Sequence, residues 1–231
     1  MPYFYYGIDP YYIYLVLPAV LLSLIAQIAV KSTFSKYSKK QSMLSGAEAA
    51  ERVLQANGVY DVKIERVGGN LTDHYDPKTN VIRLSDAVYN ARSISAVGVA
   101  AHEAGHAVQY AKAYAPIKWR TAIYPVCNIG SQLSLPLILI GLMFNSPALA
   151  TVGIVFFGAA LLFQLVTLPV ELNASRRAIT AIRDNHILLD ESEIGGAKKV
   201  LTAAAFTYIA AFLVSLMQLL RLLALTNRRR R

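Results

Sequence analysis

The chain has 231 residues, 55% hydrophobic and only 16% charged, with a mean hydropathy of +0.40. An average soluble domain carries about 25% charged residues, so the composition excludes a wholly water-soluble fold and intrinsic disorder, and a lone cysteine, Cys127, excludes a disulfide scaffold. The net charge of +9 comes from basic residues that flank apolar runs or end the chain, a placement that suits an anionic membrane surface and argues against a nucleic-acid partner.

The first apolar run, residues 10–30, contains no Asp, Glu, Lys, Arg or His. Crossing a hydrocarbon core takes about 20 helical residues, and a charge at the bilayer centre costs roughly 2.5–3.5 kcal/mol. Residues 1–30 are therefore expected to form a membrane anchor. The segment before it has no basic region and the run no small-residue cleavage site, so a retained anchor is favoured over a cleaved signal. Tyr3, Tyr5, Tyr6, Tyr11 and Tyr12 suit a headgroup belt.

Residues 31–120 form the soluble stretch. Ser45 with Glu48 three residues on makes a capping box, Ala50, Val53 and Leu54 an apolar stripe, and Gly58 a stop. Val62 and Ile64 alternate with Lys63 and Glu65, and a turn-rich Asp76-Pro77-Lys78-Thr79-Asn80 precedes Val81-Ile82-Arg83-Leu84, so a sheet of two or three strands is expected. From about residue 93 to 114 the sequence is Ala-rich and free of proline, which predicts one long helix.

That helix carries His102-Glu103-Ala104-Gly105-His106, an HExxH motif. Residues four apart on an α-helix lie one above the other, so both imidazoles can share one metal. Zinc is the default ion, because imidazole suits its borderline softness and three protein ligands leave a position for water. Glu103, about 100° around the helix from His102, is free to act as general base.

Residues 121–170 hold fifty residues without an acid, a base or a histidine, broken by Asn145-Ser146-Pro147. This length is two crossings joined by a tight turn. Glu171 is the first ionisable residue after it, and an even number of crossings returns the chain to the face it left. Glu171 is thus the expected third ligand, at the head of a segment covering residues 171–199. Residues 200–231 supply a fourth apolar helix, uncharged over 200–220, and a basic tail at 228–231. The expected fold is a mainly α membrane protein of about four transmembrane helices, with a small α+β domain carrying the HExxH helix. Cys127 reads as an inert buried thiol, and Pro125 and Pro136 as kinks in the second span.

The blocks HEAGHAVQ at residues 102–109 and LPVELNASRRA at 168–178, with Asp73-His74-Tyr75-Asp76-Pro77, resemble the neutral zinc membrane metallopeptidases of bacteria, the YugP-like group, over essentially the whole chain. The block at 171–175 is also similar to the Glu-Phe-x-Ala-Asp element of the HtpX and CAAX prenyl proteases. There the glutamate is the third zinc ligand, which maps onto Glu171. The aspartate of that element falls on Ser175, so the resemblance leaves its role to a weaker hydrogen bond from Asn173 or Ser175 to a ligand histidine. The resemblance implies a zincin-like domain and hydrolysis of a protein or peptide substrate, with Zn2+ as cofactor, bound by His102, His106 and Glu171, and Glu103 as base. It also implies a substrate strand laid along a sheet edge, for which the 71–84 hairpin is the candidate. An oxyanion donor is not identified by the motif; His74 and His186 are the candidates, with Tyr75 behind them.

Twelve Lys and Arg residues at 31–40, 112–120, 176–183 and 198–199 lie on the motif's side of the predicted spans, and none lies in the N-terminal flank or the hairpin tip. The positive-inside rule then puts the site in the cytoplasm of a multi-pass cell-membrane protein. The tail at 228–231 conflicts with it, since four full crossings send it outside; a last segment that dips and returns is the alternative. The motif precedes the uncharged stretch by fifteen positions, with Lys112, Lys118 and Arg120 between them, so an intramembrane site is disfavoured. The rival from another class is a non-catalytic zinc-binding scaffold or adaptor, which would leave Glu103 unused. An oligomeric or membrane-protein partner is left open.

Overall fold

In the computed structural model, described for residues 9–229 with side chains to 226, the chain is mainly helical with one small sheet. Tyr3, Tyr5 and Tyr6, Arg230 and Arg231, and the side chains of Arg228 and Arg229, lie outside the described residues. A π-helical turn at Tyr12–Val16 leads into α1 (Leu17–Ser38). Then follow α2 (Gly46–Ala56), β1 (Lys63–Val67), β2 (His74–Asp76), β3 (Val81–Ser85) and α3 (Ile94–Ala111). The chain ends in α4 (Ala115–Met143), α5 (Pro147–Asp184) and α6 (Glu191–Arg229).

Four of these helical segments, Tyr12–Ser38, Ala115–Met143, Pro147–Asp184 and Glu191–Thr226, are long and apolar enough to cross a membrane. The chain divides into two compact units. One comprises Gln27–Trp119 and Thr167–Phe206; the other comprises the residues up to Ala26, Arg120–Val166 and those from Thr207 on.

In the apolar unit, α4 ends where Asn145 turns into the left-handed region at φ 48° and Pro147 opens α5. Proline tolerates the first helical turn because its missing N–H has no partner there. Close approach of α4 and α5 needs small residues: a Cβ on Gly153 would come within 2.8 Å of the Ser134 carbonyl oxygen, and one on Gly141 within 2.5 Å of the Ala150 nitrogen. Pro125 and Pro136 lie inside α4, each withdrawing one N–H from its ladder, and Cys127 is buried and free.

Arg221 of α6 donates through Nε and Nη2 to Asp9 Oδ2 at 2.9 and 2.5 Å, and its guanidinium lies 5.3 Å from the Tyr12 ring centroid. A cleft beside the α4–α5 turn is lined by Asn145, Pro147, Leu222 and Leu225. The start of the first helix, the hairpin turn and the end of α6 thus share one end of the unit. α6 is a single helix from Glu191 through Arg229.

In the other unit, Ser45 and Glu48 close the expected capping box, with Ser45 N–H donating to Glu48 Oε2 at 2.6 Å and Glu48 N–H to Ser45 Oγ at 3.3 Å. Gly58 follows α2 at φ +72°, a left-handed position that glycine accepts without strain. The sheet order is β1-β3-β2. β1 pairs in parallel with β3 through Ile64↔Ile82, and β2 pairs antiparallel through Tyr75↔Ile82. The parallel pair makes β2 an edge strand. Ile82 and Leu84 on β3, Val53 on α2, Val97, Ala100, Ala104 and Val108 on α3, and Ala178 and Ile182 on α5 form one buried core. α3 is at its centre. Ser93 caps it by accepting the Ala96 N–H at 3.3 Å, and fourteen of its eighteen residues are buried. The expected boundaries at 170/171 and 199/200 fall inside α5 and α6, so Glu171 stands on the same continuous helix as the apolar run before it.

Candidate metal centre

An Ala-rich helix lets a neighbour approach closely, and α3 uses this at the motif. A Cβ added to Gly105 would lie 2.8 Å from the Ala174 carbonyl oxygen, which is backbone and cannot swing away. The fourth residue of HEAGH is therefore glycine because α5 passes directly over it. That passage brings Glu171 to the imidazole pair across 69 and 65 residues of sequence.

Glu171 Oε2 lies 3.3 Å from His102 Nε2 and 3.5 Å from His106 Nε2, and the two rings stand edge to face at a centroid separation of 4.7 Å. Among the described residues these three form the one cluster whose donor atoms all fall within 4.8 Å of one another. Nitrogen and oxygen ligands sit about 2.0–2.2 Å from zinc, so two donors sharing a tetrahedral ion lie roughly 3.3–3.6 Å apart. The measured separations fit that spacing, and two imidazoles with one carboxylate are a donor set zinc accepts. Glu171 is 3% exposed and His106 9%, so the cluster is nearly dry. Burial works against a charge on His106, but its hydrogen bond to Glu171 and the carboxylates of Glu103 and Glu171 outweigh it and raise its pKa above the ordinary histidine value.

The outward nitrogens of both rings are also engaged. Ser175 Oγ lies 3.1 Å from His102 Nδ1. Asn173 does not touch a ligand; its Oδ1 accepts from Gln109 Nε2 at 3.0 Å and Arg177 Nε at 2.8 Å. Gln109, missed in the sequence as a site residue, is fully buried with Oε1 3.0 Å from His106 Nδ1. Its signal was present: 102, 106 and 109 follow the i, i+4, i+7 spacing of one helix face, and a buried amide on an Ala-rich helix needs partners.

Glu103 is 8% exposed, stands outside the ligand cluster, and its Oε2 accepts the Tyr75 N–H at 3.0 Å. The edge strand β2 therefore meets the motif helix through its main chain. The Tyr75 ring packs against Tyr110 at 5.5 Å and its hydroxyl donates to Asn80 Oδ1 at 2.7 Å. Burial, with Tyr110, Asp61 and Asp76 nearby, pushes that hydroxyl up to about 12, so it stays protonated. Asp76 accepts from the Thr79 hydroxyl, the Lys78 N–H and Arg83, which hold its carboxyl well below the usual range and fix the β2–β3 turn.

His74 is exposed on β2 with Nδ1 2.8 Å from the Thr72 carbonyl oxygen, one residue from the strand's contact with Glu103. His186 is exposed at φ 49° in the turn after α5. The thirteen helical steps from Glu171 to Asp184 alone span about 20 Å, and His186 is not in the cluster.

The model of the family described as "Putative neutral zinc metallopeptidase" matches residues 12–227. The chain is 50% identical over 212 residues to a Bacillus subtilis (strain 168) protein named "Putative membrane protease YugP", covering 91% of this chain and 94% of that one. No solved structure matches it. Coverage of nearly the whole chain by both places this protein in the family described as putative neutral zinc metallopeptidases.

Proposed function

We propose that the protein is a zinc-dependent membrane endopeptidase. The observation that carries this reading is a buried acid beside the candidate ligand cluster that is not one of its members: among the described residues the side chain of Glu103 accepts one hydrogen bond, from the Tyr75 N–H. A zinc ion held by His102, His106 and Glu171 would supply a water of lowered pKa and polarise a scissile carbonyl. Glu103 would take a proton from the attacking water as its oxygen adds to the scissile carbonyl carbon, and would return it to the amine as the C–N bond breaks. The substrate lies extended along β2, whose edge position and backbone contact with Glu103 favour strand addition. A zinc scaffold accounts for three ligands but not for the unspent carboxylate, and structural zinc sites are usually closed by four protein ligands.

The test is metal removal. Purified in detergent, the protein should cleave a casein-type substrate, lose that activity to a zinc chelator and regain it with added zinc. Chelator-resistant cleavage, or none at any zinc concentration, defeats the reading.

The twelve basic residues on the motif's side of the spans favour a cytoplasmic site, outvoting the tail that four crossings send outside. With Cys127 changed to Ser, Phe144→Cys at the hairpin tip should react with a membrane-impermeant maleimide in intact cells, and Lys112→Cys should not. The opposite labelling pattern would invert the orientation.

A further inference from the structure

The amide of Gln109 has four hydrogen-bonding capacities, and its neighbours dictate how three of them are spent. The Val170 carbonyl oxygen, 2.8 Å away, can only accept, so the NH2 end of Gln109 must face it. The second N–H of that end goes to Asn173 Oδ1 at 3.0 Å. Asn173 has no choice of orientation either, since Arg177 Nε can only donate and lies 2.8 Å from the same oxygen. Both amides are therefore fixed, and the end of Gln109 left for His106 is its carbonyl, 3.0 Å from Nδ1. A carbonyl can only accept, so His106 carries its proton on Nδ1. In the neutral ring the Nε2 lone pair is then free, and Nε2 is the atom that faces Glu171.

The same amide holds two helices in register. Gln109 is on α3 three residues beyond His106, and Val170 is the residue of α5 immediately before Glu171. One side chain thus sets the proton position of one ligand and grips the backbone beside another. Resting on the zinc-site reading above, we infer that Gln109 is a positioning residue: oriented by Val170, Asn173 and Arg177, it locks His106 in the metal-binding tautomer and ties α3 to the turn of α5 that presents Glu171. It takes by an amide the place that a carboxylate or a backbone carbonyl more often fills behind a ligand histidine.

The test uses the full-length protein in detergent and reads metal binding, which needs no turnover. Zinc affinity is measured by chelator competition, and the ligand field by the visible absorption of the cobalt(II)-loaded protein. Gln109→Leu, close in volume but unable to hydrogen-bond, should bind zinc about 10–100-fold more weakly with an altered cobalt spectrum. Asn173→Ala, which leaves Gln109 and His106 in place but frees one end of the amide, should lose less, about 2–10-fold. Affinity within twofold of wild type and an unchanged spectrum in Gln109→Leu overturns the inference, as does a greater loss in Asn173→Ala than in Gln109→Leu. Should Gln109→Leu not fold, Asn173→Ala decides alone, unchanged affinity counting against. A wild-type protein that binds zinc tightly and cleaves nothing defeats the peptidase reading and leaves this result standing; one that binds no zinc defeats both.

Discussion

Glu103→Gln should keep its zinc and lose its cleavage. Glutamine matches glutamate in size, and its Oε1 can still accept the Tyr75 N–H, so the packing of α3 against β2 survives the change. Because Glu103 is outside the ligand cluster, the metal loses no donor. What goes is the one group beside the ligands able to take a proton and return it. Positioned acid–base groups contribute about 10²–10⁴-fold, and a fall of that size at unchanged zinc content is expected in turnover of a casein-type substrate. Zinc content by atomic emission and turnover on the same preparation check it together. Equal cleavage by the two proteins removes Glu103 from catalysis and favours a scaffold; loss of zinc with loss of cleavage makes it a ligand or a structural prop.

The features legible in the sequence are those set by short-range rules. His102 and His106 announce themselves because i, i+4 on a helix is a local geometry, and Ser45 with Glu48 because a capping box closes within one turn. The four apolar helices follow from an absence of charge that the bilayer demands. Glu171 needed one tertiary step, the return of an even-numbered hairpin, and a fifty-residue uncharged run supplied it. The β1–β3 pairing was not legible. Parallel strands separated by a third strand leave no turn signature, and β1 alternates too weakly to declare its partner. Gln109 was passed over for a different reason. Its value lies in two contacts from α5, and a glutamine three residues past HExxH looks like any polar helix position until Val170 and Asn173 are beside it. The continuity of α5 and α6 through the expected boundaries has the same origin: charge marks where a hydrocarbon core ends, not where a helix does.

Removing Glu171 should empty the site more thoroughly than any change behind a histidine. Glu171 is 3% exposed, one of its oxygens faces both imidazoles at 3.3 and 3.5 Å, and it is the one carboxylate of the cluster among the described residues. Loss of an outer hydrogen-bond partner costs about 10–100-fold in metal affinity, and Glu171→Ala, which deletes a donor and the only negative charge in the set, should exceed that. The alanine also leaves a void beside Gly105 and Ala174, where α3 and α5 touch, and a fall in zinc content could then reflect slackened packing. Glu171→Gln separates the two effects. It refills the space and keeps an oxygen donor but removes the charge, so without metal it should melt closer to wild type than Glu171→Ala does, losing only the charge's interaction with the imidazoles, and still bind zinc more weakly. Zinc titration of the two variants beside thermal unfolding without metal reads both terms. Wild-type affinity in Glu171→Ala would take Glu171 out of the centre and require another third ligand, while wild-type affinity in Glu171→Gln alone would show that an oxygen at this position suffices without its charge.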